Sequence, residues 1–89
     1  MNTLADCAKY IESKITSGIC KKHKSIDGRE TYEIIKGDGI LKKGDLLTKD
    51  TGHYEWEFFN ERGKHKGAID LKMGIIYKPA DPLRCLNVK

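Results

Sequence analysis

The chain has 89 residues, a net charge of +4 and a pI near 9.0, and 34% of its residues are charged. This length predicts one domain, residues 1–89, with a modest core. The sequence contains no run of about 20 apolar residues, which argues against a membrane span, and we find no signal peptide at the N-terminus. The excess of positive charge is compatible with an ordinary basic surface. It is equally compatible with a polyanionic partner, of which nucleic acid is the first candidate. We expect the protein to act in a cytosol, its own or that of another cell.

Three cysteines are present, at Cys7, Cys20 and Cys85. An odd and sparse set argues against a disulfide framework, so we expect reduced and mostly buried thiols. Cys7, Cys20 and His23 also offer three zinc-ligand types. Their spacing fits no zinc-finger pattern and a fourth ligand is missing. We therefore predict neither a metal nor a cofactor.

Residues 4–17 are predicted to form the helix of the chain. Thr3 is placed to cap its start, and Gly18 stands where a helix ends. Apolar side chains recur at helical spacing and form one stripe: Leu4, Cys7, Ala8, Ile11 and Ile15.

The spacing of apolar residues changes after the helix. Residues 19–30 are polar and basic, and we predict an irregular loop there. Beyond them, short alternating runs separated by glycine-containing turns predict an antiparallel sheet over about residues 31–88. The predicted strands are 31–36, 40–42, 46–49, 53–60, 64–70, 75–78 and 83–88, the last at a sheet edge. The fold class is therefore predicted as α+β, a short N-terminal helix followed by a highly twisted antiparallel β-sheet.

The predicted strand 53–60 has two different faces. Its aromatic residues at even positions are expected to pack in the core. The opposite face carries His53, Glu55, Glu57 and Phe59, so ionisable groups follow one another on one side of a strand. This division predicts that the polar face carries the chemistry.

The residue types needed for metal-free RNA cleavage occur at Asp50, His53, Glu57 and Arg84. RNA supplies its own 2′-hydroxyl nucleophile, and an enzyme adds a base, an acid and a cation. Glu57 and His53 are candidates for base and acid, in either order, Asp50 would orient the imidazole, and Arg84 would bind the phosphate. Residues four apart in a flat strand lie about 13 Å apart. We therefore expect a bend before Glu57, with Gly52 as its candidate.

Further residues are candidates for contact with RNA. Lys42, Lys64 and Lys66 would bind the phosphate backbone, and Phe59 would stack on a base. The role of His65 depends on the hairpin register, because a shift of one residue moves a side chain to the other face. A structural or supporting role for His65 is favoured.

An ordered series of motifs carries a family resemblance. The motifs are Asp50-x-x-His53-x-x-x-Glu57, Arg62-Gly63-Lys64-His65-Lys66-Gly67-Ala68-Ile69-Asp70 followed by Gly74, and Lys78-Pro79-Ala80-Asp81-Pro82-Leu83-Arg84. With a looser match at residues 35–44, to the glycine and lysine segment of that family, the similarity covers about residues 34–88. This part of the chain resembles the cytotoxic ribonuclease domain of the colicins that cut 16S ribosomal RNA at the decoding site, which is also found in contact-dependent inhibition toxins.

The resemblance implies a toxin that inhibits translation and leaves a 2′,3′-cyclic phosphate on RNA. It implies Asp50, His53, Glu57 and Arg84 as catalytic residues, with the ribosome as target. It also implies a tight acidic immunity or antitoxin protein as partner. The sequence departs from the family pattern in a shorter lysine-rich loop, in Leu71 for a proline, and in a tyrosine for the glycine that follows the histidine.

Other functions remain open from the sequence. The chain is compatible with a free-standing toxin of a toxin–antitoxin pair that cuts mRNA or tRNA. It is also compatible with a non-catalytic RNA-binding module, and with a protein-interaction domain whose acidic and aromatic strand docks a partner.

Overall fold

One helix and six strands follow one another in the computed structural model, which describes residues 2–88. Their bounds are α1 Leu4–Thr16, β1 Cys20–Ile26, β2 Arg29–Ile34, β3 Leu46–Asp50, β4 Glu55–Phe59, β5 His65–Ile69 and β6 Ile76–Lys78. The strands form one sheet in the order β1-β2-β3-β4-β5-β6, and every neighbouring pair is antiparallel. The predicted α+β class is confirmed.

Helix α1 begins and ends where the sequence predicts. The Thr3 hydroxyl accepts the backbone N–H of Asp6 and the Asp6 carboxylate accepts that of Thr3, a reciprocal capping box. Gly18 lies just beyond the helix with a φ of +74°, a conformation that glycine adopts without strain. The indole N–H of Trp56 donates to the Cys7 carbonyl at 3.0 Å and ties α1 to β4. Among residues 2–88, no helix has the length and apolarity needed to cross a membrane.

The β1–β2 hairpin corrects the predicted loop at 19–30. Its turn is Asp27-Gly28, with φ values of +53° and +74°, as a two-residue hairpin turn with both central residues left-handed requires. Only the ends of β1, Cys20 and Ile26, are buried. The strand was missed because it lies at a sheet edge, where its remaining side chains are polar and mostly exposed.

Two further predicted strands are wrong. In the described part of the chain, segment 40–42 forms one isolated β-bridge, at Leu41, and segment 83–88 forms another, at Cys85. The first segment is too short to extend between its flanking glycines. The second passes back over the turn between β4 and β5, so its backbone pairs with a turn rather than with a strand edge.

The core is divided between the two faces of β4. Trp56 and Phe58 belong to the larger cluster, which α1 covers with Cys7 and Ile11. Phe59, the next residue along, belongs to a smaller cluster that the C-terminal segment, residues 79–88, covers. Neighbouring strand residues point to opposite faces, so the helix and the C-terminal segment cover different sides of the sheet. All three thiols are free: Cys7 and Cys20 are buried as expected, and Cys85 is exposed.

A close backbone contact attaches the C-terminal segment to the sheet. Gly63 has a φ of +86°, and the backbone N–H of Leu86 donates to its carbonyl at 2.7 Å. A Cβ at position 63 would overlap the Leu86 carbonyl oxygen. Glycine is therefore required here both for its conformation and for the space it leaves, and the contact fixes the segment that carries Arg84.

Candidate active site

A pocket of about 250 Å³ opens beside the polar face of β4. Its walls come from the β3–β4 turn, from β4 and β5, and from the segment after β6. The lining residues are Asp50, His53, Glu55, Glu57, His65, Lys78, Pro79, Asp81 and Arg84. The four predicted catalytic residues therefore lie around one pocket, although they are spread over 35 positions from 50 to 84.

Asp50 and His53 form a pair at the rim of this pocket. The Nδ1 atom of His53 lies 3.1 Å from Oδ2 of Asp50, and the other oxygen of Asp50 accepts the backbone N–H groups of Gly52 and His53. Burial raises the pKa of Asp50, but its side-chain and backbone hydrogen bonds outweigh this and lower the pKa below its ordinary value. The His53 side chain is 67% exposed, so its second nitrogen is accessible to a substrate.

The bend that brings His53 to the pocket lies at Tyr54. His53 is in the turn before β4 rather than in the strand, whose first residue is Glu55. Tyr54 has a φ of +51°, a left-handed conformation that non-glycine residues rarely adopt. The bend was predicted at Gly52, two residues too early. Because the chain reverses here, the separation of a flat strand does not apply to His53 and Glu57.

Glu57 is the centre of the buried part of the site, with 3% of its side chain exposed. Its Oε1 lies 3.0 Å from Nε2 of His65. Its Oε2 accepts a hydrogen bond from Arg84 and lies 3.8 Å from Nη1 of Arg29. A buried carboxylate needs such partners, since an isolated buried charge is strongly unfavourable.

The tautomer of His65 follows from its two contacts. The backbone N–H of Asp81 donates to Nδ1 at 2.8 Å, so Nδ1 is an acceptor and carries no proton. Nε2 must then carry the proton and donate it to Glu57. His65 is thus a neutral hydrogen-bond donor that orients the carboxylate, in agreement with the favoured supporting role.

A second buried carboxylate, Glu55, was not among the predicted site residues. It is 2% exposed, accepts a hydrogen bond from the Tyr77 hydroxyl and lies 3.3 Å from the Lys78 ammonium. Burial, followed by this hydrogen bond, raises the pKa of Tyr77, so the phenol remains protonated and acts as a donor. The alternation of β4 places Glu55 and Glu57 on one face, and that signal was available in the sequence.

The residues predicted to bind RNA do not line this pocket. Lys66 lies against Asp45, 2.7 Å from its carboxylate, and over the ring of Phe58. Phe59 is 2% exposed in the smaller core cluster, so the prediction that it stacks on a base is wrong for this structure. Lys42 and Lys64 are exposed outside the pocket lining. The cation that does line the pocket, besides Arg84, is Lys78.

Three side chains of the site have the donor types of a metal site. Asp50, His53 and Glu55 each place one ligand atom within 4.8 Å of the other two. These donors suit a divalent cation. Glu55, however, is already neutralised by Lys78 and hydrogen-bonded by Tyr77.

Comparisons of the chain with protein-family models, curated proteins and solved structures find no match. No family is assigned on that basis. The proposed function therefore rests on the chemistry of the pocket and on the motifs that supply its residues.

Proposed function

We propose that this protein is a metal-independent endoribonuclease that cleaves RNA through attack of the 2′-hydroxyl on the neighbouring phosphate. One observation carries the proposal: a buried carboxylate, an aspartate-paired histidine and an arginine border the same pocket. These groups supply the base, the acid and the cation that the reaction requires. The nucleophile comes from the substrate.

Glu57 is proposed as the base. Both of its oxygens accept hydrogen bonds, one from His65 and one from Arg84, which is the pattern of an ionised carboxylate. Glu57 takes the proton of the 2′-hydroxyl as that oxygen forms a bond to phosphorus. Arg84 then stabilises the charge that develops on the phosphorane oxygens.

His53 is proposed as the acid. The bond between phosphorus and the 5′-oxygen breaks, and the protonated imidazole gives its proton to that oxygen. Asp50 binds Nδ1, so the exposed Nε2 is the position from which the proton leaves. The products are a 2′,3′-cyclic phosphate and a free 5′-hydroxyl. Proton transfer by groups of this kind contributes roughly 10²–10⁴-fold to rate.

The backbone at Tyr54 supports the same proposal. Tyr54 stands where the colicin ribonuclease domains have glycine, and it adopts the left-handed conformation that glycine favours, with a φ of +51°. A tyrosine in that conformation is strained by about 1–2 kcal/mol. Such strain is commonly found where function requires a particular geometry, and here it directs His53 into the pocket.

The biological part of the proposal rests on the motif resemblance. We propose a toxin that inhibits translation by cutting 16S ribosomal RNA at the decoding site in a bacterial cytoplasm. Its proposed inhibitor is an acidic immunity or antitoxin protein, which would complement the net charge of +4. Cleavage of mRNA or tRNA by the same chemistry is the alternative target.

The test is cleavage of intact bacterial 70S ribosomes, stopped with an EDTA-containing quench, with the 3′ end of 16S RNA as the measured product. The wild type should release a short 3′ fragment. His53→Ala and Glu57→Gln should each lose about 10²-fold or more in rate. His23→Ala, which alters a histidine of β1 outside the pocket, is the matched control and should cleave normally.

Each outcome has a defined meaning. Cleavage of purified tRNA or mRNA with 16S RNA intact would keep the chemistry and replace the target. Tight binding of RNA that survives His53→Ala, without strand scission, would replace the nuclease by a binding module. If EDTA abolishes cleavage of purified RNA, the metal-independent mechanism is wrong.

A further inference from the structure

Arg29 has a guanidinium nitrogen with no hydrogen bond in the described part of the chain. Its Nη1 is buried from solvent and lies 3.8 Å from Oε2 of Glu57, which is too far for a hydrogen bond. Buried donors in native proteins are nearly always paired. An unpaired guanidinium nitrogen beside the proposed general base is therefore unusual and calls for an acceptor.

The position of Arg29 is fixed by the hairpin turn that precedes it. Arg29 is the first residue of β2 and follows the Asp27-Gly28 turn. Its neighbour across the sheet surface, Glu57, is already bound by Arg84. The two arginines thus approach one carboxylate oxygen from different segments of the chain, and their positive charges lie close together.

Three grooves meet around this pair of arginines. A groove of about 410 Å³ is lined by Arg29 and Asp50 among others. A second, of about 330 Å³, is lined by both Arg29 and Arg84. The pocket of about 250 Å³ that contains the catalytic groups is lined by Arg84 and Asp50. Each pair of grooves shares one of these residues, so the three grooves adjoin one another, and Glu57 lines the one that contains the catalytic groups.

We propose that Arg29 and Arg84 together form the binding site for the scissile phosphate, with the two larger grooves receiving the nucleotides on either side of it. This inference rests on the proposed nuclease function and extends it to the path of the RNA strand. The Arg29 side chain is 40% exposed, so its guanidinium can turn and bring Nη1, which is buried in the free protein, to a non-bridging phosphate oxygen. A planar guanidinium suits a tetrahedral oxyanion, since it donates two parallel hydrogen bonds.

The charges of the pocket explain why a second arginine is needed. Its lining contains four carboxylates, at Asp50, Glu55, Glu57 and Asp81, against the cations of Lys78 and Arg84. Lys78 is already paired with Glu55. A phosphate would therefore meet net repulsion from the catalytic groups. Arg29 supplies a further positive charge that is not committed to a hydrogen bond.

Proton transfer would strengthen the contact of both arginines with the phosphate. In the free protein, the carboxylate of Glu57 attracts both guanidinium groups. When Glu57 takes the proton from the 2′-hydroxyl, its negative charge is lost while charge accumulates on the phosphorane. The attraction of the arginines is thereby transferred from Glu57 to the reacting group, as transition-state stabilisation requires.

The experiment compares Arg29→Met and Arg29→Lys with Arg62→Met, an exposed arginine in the β4–β5 turn. Cleavage of 70S ribosomes gives the rates. Binding of a labelled 2′-O-methyl RNA dodecamer of mixed sequence, which cannot be cut, is measured against salt concentration. Arg29→Met should lower kcat/KM by about 10²-fold, and Arg29→Lys should recover part of the loss because charge remains without the planar fork.

The salt dependence separates a phosphate contact from a structural role. Loss of one phosphate contact should reduce the slope of log affinity against log salt by about 0.7 for a single strand. An Arg29→Met protein with wild-type kcat/KM and an unchanged slope would overturn the inference while leaving the nuclease proposal standing. A wild type that binds the dodecamer but cuts no RNA would overturn the nuclease proposal, and the slope would still decide on Arg29. A wild type that neither binds nor cuts overturns both.

Discussion

Replacing Gly63 by alanine should detach the C-terminal segment from the sheet while the helix and strands stay in place. Position 63 has a φ of +86°, which costs an L-residue about 1–2 kcal/mol. About 0.4–1 kcal/mol is returned because alanine restricts the unfolded chain. The conformational part of the destabilisation is therefore about 1 kcal/mol.

The added methyl group causes the larger loss. It would overlap the Leu86 carbonyl oxygen, so the segment must move away and break the Leu86 N–H bond to Gly63. That bond contributes about 1 kcal/mol, and exposing the buried Leu86 side chain costs about 1.5–3 kcal/mol. The total expected destabilisation of Gly63→Ala is about 3–5 kcal/mol. This is a large share of the stability of a small domain.

Gly18→Ala is the matched control. Gly18 has a similar φ of +74°, but an added Cβ would have no atom within 4 Å, so we expect a loss of only about 1 kcal/mol. Urea unfolding followed by the fluorescence of Trp56, the single tryptophan of the sequence, measures both variants. Cleavage by folded Gly63→Ala protein should also fall, because the displaced segment carries Arg84. Equal destabilisation of the two variants would refute the proposed role of the Leu86 contact.

Three further changes have expected outcomes. Trp56→Phe should destabilise the fold by about 2–4 kcal/mol, since it shrinks a fully buried side chain and removes the indole hydrogen bond to the Cys7 carbonyl; thermal unfolding followed by circular dichroism measures this. Asp50→Asn should reduce the stability of the fold at neutral pH. The difference from wild type should shrink as pH falls through the lowered pKa of Asp50, because a carboxyl whose pKa is depressed in the folded state stabilises it only while ionised. Urea titrations from pH 7 to about pH 2.5 test the sign of this change. A maleimide reagent should modify the exposed Cys85 rapidly, whereas Cys7 and Cys20, whose burial raises their thiol pKa values, should react only when the protein unfolds; mass spectrometry counts the labelled sites.

The sequence predicts most of the fold where local signals are strong. The helix cap at Thr3 and the helix end at Gly18 were both predicted from residue type and position. Strand β1 was not, because the alternation that marks a half-buried strand is weak where one edge of a sheet is exposed. The Asp27-Gly28 pair is nevertheless a strong hairpin signal, and greater weight on it would have found both β1 and the position of Arg29.

The candidate site was predictable in its residue types but not in its contacts. Asp50, His53, Glu57 and Arg84 were singled out, and the structure brings all four to one pocket. The contact of His65 with Glu57 depends on a bulge between β4 and β5, where Phe59 pairs with His65 while Phe58 pairs with Gly67. The extra residue, Lys66, changes the register by one position, and such a change reverses the faces of a strand.

Two of the residues predicted to bind RNA lie elsewhere than expected: Lys66 contacts Asp45, and Phe59 is buried in the smaller cluster. Their direction depends on the bulge and on the segment that covers the smaller cluster. Tertiary contacts decide which side of a strand is exposed, and a single sequence does not contain that information.

The order of synthesis gives the C-terminal segment a further consequence. Asp81 fixes the tautomer of His65 and Arg84 binds Glu57, and both residues follow the last strand of the sheet. A nascent chain that has emerged only as far as β6 contains the proposed base and acid, but neither the arginine nor the amide that orients the His65 imidazole. The ribosome that makes the protein is therefore exposed to the complete site only after this segment has left it.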